Sequence, residues 1–163
     1  MMAARIAGFA TLVTPLRAQH NARTNREDYK MWEISWLAVL LSALVTFFVG
    51  GIWYGPLFLK TWQKEAGVTD DAMKARHPAY VFGGAFLLNL FAAYILGHVL
   101  ATYGNPPAMV DIMIAFGVAA GFIVTAFGVN YLFAGKSFKL FAIDAGYWIV
   151  TYSLMGVIFG YLG

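Results

Sequence analysis

From Asn130 to Trp148 the chain reads NYLFAGKSFKLFAIDAGYW, setting two lysines and one aspartate between apolar runs that otherwise carry no charge. The residue with the most chemistry in it is Asp144. A carboxylate in an apolar helix costs roughly 2.5 to 3.5 kcal/mol at the centre of a bilayer and less near its surface, so it is expected to face protein or water and to have a partner. Depth along the helices selects the candidates: Tyr54, Asn89, Asn130 and Lys139. On its own helix, Tyr147, Trp148 and Thr151 follow at i+3, i+4 and i+7 and share its face. Asp144, Asn130, Asn89, Tyr54, Tyr147 and Lys139 therefore form the candidate intramembrane polar site. Two roles fit it equally: a protonatable or cation-binding group, or a hydrogen-bonding brace that fixes helix register.

Other chemistries find no residues to carry them. There is no HExxH, no G-x-S-x-G and no phosphate-cradling GxxxxGK[ST]. Cysteine is absent, which removes thiolate nucleophiles, disulfides and cysteine-ligated metal. His98 is nine residues from Asn89, half a turn out of phase, and belongs to the opposite end of the helices from Asp144, so no hydrolase triad assembles. Bis-histidine haem would need a second histidine within the apolar runs, and His20 and His77 lie outside them. A satisfied or interfacial histidine, one turn on from Tyr94, is the expectation. No metal, no cofactor and no enzymatic activity are expected.

The elements that hold these residues are legible in the composition. With 61% hydrophobic and 12% charged residues among 163, and a mean hydropathy of +0.68, the chain is expected to be an integral membrane protein. A net charge of +3 could suggest nucleic acid, but the basic residues flank apolar runs, where they set topology. Lipid bilayer is the expected surrounding, and nucleic acid is not an expected partner.

Four runs are long enough to span: about 34–59, 79–101, 112–134 and 140–162. The expected fold is all-α, an integral membrane four-helix bundle with short loops, formed by residues 31–163. Trp32 and Trp36 at one end of the first span, and Trp53, Tyr54 and Trp62 at the other, suit aromatic belts. Pro56 should kink or end that helix. Thr69 is placed to cap a short helix beginning with Asp70 and Asp71. The short turn around Pro106 and Pro107 should make the second and third spans antiparallel neighbours, and Gly135 should stop the third.

Residues 1–30 differ in character: Arg5, Arg17, Arg23 and Arg26 precede the first acid, Glu27, and the apolar run Ile6 to Val13 is too short to span. They are expected to be a disordered or over-annotated extension, with Met31 as the start. From Met31 onward, the loops at 60–78 and 135–139 hold six Lys and Arg, and the opposite side holds none. That asymmetry puts both loops in the cytoplasm of an inner membrane. Counting the extension changes six to zero into six to five, so start site and topology are linked.

Small residues recur at i+4 on several spans: Gly51 with Gly55, Gly117 with Gly121, and Gly156 with Gly160. In lipid, close van der Waals packing holds helices together, so these are the expected helix-packing positions, within the bundle, in a homo-oligomer or against partner membrane helices. An internal echo pairs Tyr54-x-x-Leu57-Phe58 and Lys60 with Tyr131-Leu132-Phe133 and Lys136. Two related helical hairpins or shared interface chemistry would each produce it.

The segments GGIWYGPLFLKTW, ending the first span, and NYLFAGKSFKLFAIDAGYW together resemble the bacterial membrane proteins of the domain of unknown function 1761 family, from about Trp32 to the C-terminus. The resemblance implies a four-span membrane protein with no established activity. Two function classes stay open: a small transporter or channel-like protein using the polar site, or a non-catalytic structural or accessory protein that packs against partner helices. A water-accessible cavity at Asp144 would favour the first, and a dry core with outward glycine faces the second.

Overall fold

Pro56 and the glycines on either side of the four apolar runs decide where the helices bend and stop. The structure, a computed structural model, describes residues 34–104 and 106–163. The expectations for residues 1–30, for the start at Met31 and for Trp32 lie outside the described residues. Helix α1 (Trp36–Leu57) begins at Ser35, whose hydroxyl accepts from the Ala38 amide at 3.3 Å. It ends in a π-helical turn over Trp53–Leu57, where Gly55 leaves the helical region at φ −100° and ψ −109°. The cause is the next residue: a proline ring crowds the backbone before it and forbids the ordinary helical conformation.

The chain after Pro56 does not leave the bundle. It turns into α2 (Leu59–Ala66), which Gly67 closes with a left-handed φ of 72°, and then α3 (Asp70–Lys74), capped by Thr69 through the Ala72 amide at 3.2 Å. Helix α4 (Pro78–Ala101) starts with proline at its first position, where no amide hydrogen is needed.

Helix α5 (Ala108–Phe133) follows the cap residue Pro107 and begins four residues before the start expected at Ile112, and so takes Asp111 into its first turn. It contains a π-helical turn, Ala119–Ile123. Beyond its end, Gly135 takes φ 62°, the Lys136 amide reaches the Tyr131 carbonyl at 2.9 Å, and the Gly135 amide reaches that of Leu132 at 3.3 Å. This double closure is the expected glycine stop. Helix α6 (Phe138–Leu162) follows, capped by Ser137.

These helices form an all-α four-helix bundle, with no strand among the described residues. Helices α1, α4, α5 and α6 are each long and apolar enough to cross a membrane. Helix α6 lies centrally, packed on α5 and α1, while α1 also packs on α4. Trp36 stacks on Tyr94 and Phe47 tilts against Phe86, so α1 and α4 run antiparallel. Helices α4 and α5 scarcely touch, which corrects the expectation that a short connection makes them neighbours. The reason lies on α6. An added Cβ at Gly156 would fall 2.8 Å from the Ile112 Cα, and one at Gly160 would fall 2.8 Å from the Ala108 Cα, so α5 is drawn onto α6 instead.

Inside and outside are inverted relative to a water-soluble bundle. The buried positions are mostly small or weakly polar, among them Ala38, Ser42, Ala43, Thr46, Ala93, Ala115, Ala119 and Thr151. Large side chains point out, with Phe48 at 70% exposure, Leu88 at 72% and Phe122 at 74%. Apolar surface on that scale is unfavourable in water and ordinary in lipid, where small residues let backbones approach.

Helix α4 is held only beyond its first two turns. Its buried residues are Asn89, Ala93, Leu96, Gly97 and Leu100, whereas every residue from Pro78 to Gly84 is exposed. The first two turns, Pro78 to Gly84, therefore stand away from α1, and a cleft opens between the two helices.

Candidate functional site

Asp144 lies near the start of α6, 7% exposed, and both of its oxygens are engaged. Tyr54 of α1 donates to Oδ1 at 2.8 Å, Trp62 of α2 donates to the same atom at 3.1 Å, and Tyr131 of α5 donates to Oδ2 at 2.7 Å. Three helices thus meet on one carboxylate. All three donors are neutral, and the nearby Lys139 turns to Glu65 instead, 3.7 Å away. The break at Gly55 and Pro56 makes this possible, since it redirects α2 so that Trp62 reaches back to α6. Trp53 fixes the same corner: its indole donates to the Ile143 carbonyl at 3.0 Å and fills the space that Gly146 leaves open.

Of the expected site residues, the structure brings Tyr54 and Asp144 into direct contact and puts the others elsewhere. Tyr147 does not bond to Asp144; its hydroxyl donates to the Thr46 carbonyl at 3.2 Å, while its ring sits 5.1 Å from that of Tyr54. Asn130 is exposed on α5, because a step of one residue turns it about 100° from Tyr131. Lys139 serves the loop: Glu65 accepts from the Ser137 hydroxyl at 2.6 Å and pairs with Lys139. The Ser137 hydrogen bond, followed by the lysine's charge, holds the Glu65 carboxyl below the usual glutamate range.

Asn89 is 9% exposed and makes no hydrogen bond to any described residue. It forms part of the wall of a cleft of about 420 Å³ between α1 and α4. Tyr54, Tyr147, Thr46 and Gly50 line the same space, with Phe47 and Phe82 as aromatic walls and Met73 of α3 at one side. Asp144 does not line it and stands behind Tyr54. The cleft and the carboxylate are thus connected through one phenol.

The glycines divide. Gly156 and Gly160 pack against α5, whereas Gly51, Gly55, Gly117 and Gly121 have nothing within 4 Å of an added Cβ. These four make no close helix contact among the described residues. His98 meets Tyr94 edge-to-face at 4.6 Å, away from Asp144. No group of three or more His, Cys, Asp or Glu among the described residues could hold a metal ion.

Three residues were not picked out by the sequence pattern. Trp62 and Tyr131 complete the Asp144 knot, and the echo that pairs Tyr54 with Tyr131 was the signal for the second. The other is Asp111, 6% exposed, whose Oδ1 has no hydrogen-bond partner among the described residues. Its place in the first turn of α5 puts it at the positive end of that helix, favourable for an acid.

Compared with known proteins, residues 37–160 match the family model described as "Protein of unknown function (DUF1761)". No curated protein and no solved structure matches the chain.

Proposed function

The chain belongs to this family of proteins of unknown function, and on that premise we propose that it is a multi-pass integral membrane protein that binds a small, largely apolar solute within its bundle. It works as a small transporter or channel-like protein and not as an enzyme. The observation that carries this reading is Asn89: an amide on the wall of a 420 Å³ cleft, with no hydrogen-bond partner among the described residues. A ligand's polar atom paired with that amide would contribute about 0.5–1.5 kcal/mol, the net worth of a typical hydrogen bond. Pockets of this kind, mostly apolar with a few polar groups, are the usual form of small-molecule sites.

The location that fits is a bacterial inner membrane, with the charged loops 60–78 and 135–139 on the cytoplasmic side, supported by the lysine and arginine asymmetry. Asp144 serves as the brace beside the site. Its three donors engage both oxygens without a cation, which favours register-setting over ion coordination. Counterflow in proteoliposomes with a panel of fluorescent amphiphiles tests the reading. Wild type should accelerate at least one of them and Asn89→Leu should slow it; no acceleration of any would remove the transport role.

A second reading has its own observation. The open faces at Gly51, Gly117 and Gly121 suit close approach by another helix, as in a homo-oligomer or an accessory subunit. Mass measurement in nanodiscs distinguishes a monomer from an assembly.

A further inference from the structure

We infer that the cleft between α1 and α4 selects hydrophobic organic cations; this rests on the cleft being the binding site and names its ligand class. The space is within the range that holds drug-sized molecules. Gly50 and Gly51 keep one wall low, so a ligand of several rings has room.

The selectivity follows from where the protons go. The Tyr54 proton is committed to Asp144 and the Tyr147 proton to the Thr46 carbonyl, so each phenol offers a ligand only oxygen lone pairs. Behind Tyr54 stands a carboxylate whose three partners are all neutral. Four aromatic rings, Phe47, Tyr54, Phe82 and Tyr147, line the space, and ring faces attract positive charge. Among the described residues, no lysine or arginine lines the cleft. Among the side chains of the described lining residues only the Asn89 amide offers a donor, which suits one acceptor atom on an otherwise apolar cation. A small inorganic cation fits poorly, because the walls are chiefly hydrocarbon and lack the six or so oxygens that a hard ion takes.

The test uses the full chain in nanodiscs, titrated calorimetrically with tetraphenylphosphonium, with tetraphenylborate of opposite charge and with neutral triphenylphosphine oxide, each corrected with empty nanodiscs. The phosphonium should bind saturably and at least about tenfold more tightly than the neutral oxide, a difference of about 1.4 kcal/mol. The borate should not bind saturably. Gly51→Leu, whose Cβ would meet nothing within 4 Å on the cleft wall, should abolish phosphonium binding, and Gly117→Leu on α5 should leave it intact. Asp144→Asn should weaken the phosphonium alone. Equal binding of all three probes, lost in Gly51→Leu, would overturn the cation preference and keep the cleft as a site. Phosphonium binding unchanged in Gly51→Leu, or absent from wild type, would overturn both.

Discussion

The hydroxyls of Tyr54 and Tyr131, 77 residues apart in the chain, donate to the two different oxygens of Asp144, at 2.8 Å and 2.7 Å. Each carries a different helix to α6, so the carboxylate ties α1 and α5 to a common point. Interhelical hydrogen bonds in membrane proteins contribute about 0.6 kcal/mol on average and up to about 1.7. Tyr54→Phe and Tyr131→Phe should each lower stability by that order. Asp144→Ala strands three donors at once and should cost more than either, with Asp144→Asn between them because its amide still accepts. Reversible unfolding in mixed detergent gives the order, and equal stability of Asp144→Ala and wild type would refute the brace.

Acidification should loosen the loop side of the bundle through Glu65. Its carboxyl is lowered in the folded protein by Ser137 and then by Lys139, so its contribution is fully present above the unfolded glutamate range and is lost as pH falls through the folded value. Melting curves across that acidic window should show wild type losing stability that Glu65→Gln does not lose. Parallel curves would mean that the Ser137 and Lys139 contacts contribute nothing.

Glycine substitutions should divide along the two faces of the bundle. At Gly156 and Gly160 a methyl group meets α5 backbone at 2.8 Å, so Gly156→Ala must push the helices apart, at about 1–3 kcal/mol as for other overpacked sites. Gly117→Ala and Gly121→Ala meet nothing and should be neutral or slightly stabilising, since alanine favours helix. Thermal stability in the monomeric state is the readout. A large loss at Gly117 in the oligomer only would point to an interface there.

The chain has no cysteine, so a single introduced thiol reports without background. Asp71→Cys, on exposed α3, should react with an impermeant maleimide from the cytoplasmic side, and Tyr103→Cys, between α4 and α5, from the other. The reverse pattern would invert the orientation read from the basic loops.

How much of this was readable beforehand depended on which forces act locally. Helix ends were, because Thr69, Gly135 and Pro56 act on their own backbone. The importance of Asp144 was, because a lone acid in an apolar run has few explanations. Its partners were less so. Asn130 was the more polar neighbour by depth, but helical phase gave the contact to Tyr131. Trp62 lay beyond a proline and read as an interface residue, and only the bend at Gly55 returns it to α6. The loose first two turns of α4 were not legible at all, since their residues are as apolar as those that pack.

Those loose turns of α4 have a thermodynamic consequence for any ligand. With Pro78 to Gly84 exposed and Val81 and Phe82 from that stretch lining the cleft, a ligand in the bilayer proposed above would reach the site from the acyl chains. Occupancy of Asn89 then follows the ligand's mole fraction in the leaflet rather than its concentration in water. Two compounds with equal fit would differ by their partition coefficients, and adding empty lipid at constant total ligand would empty the site.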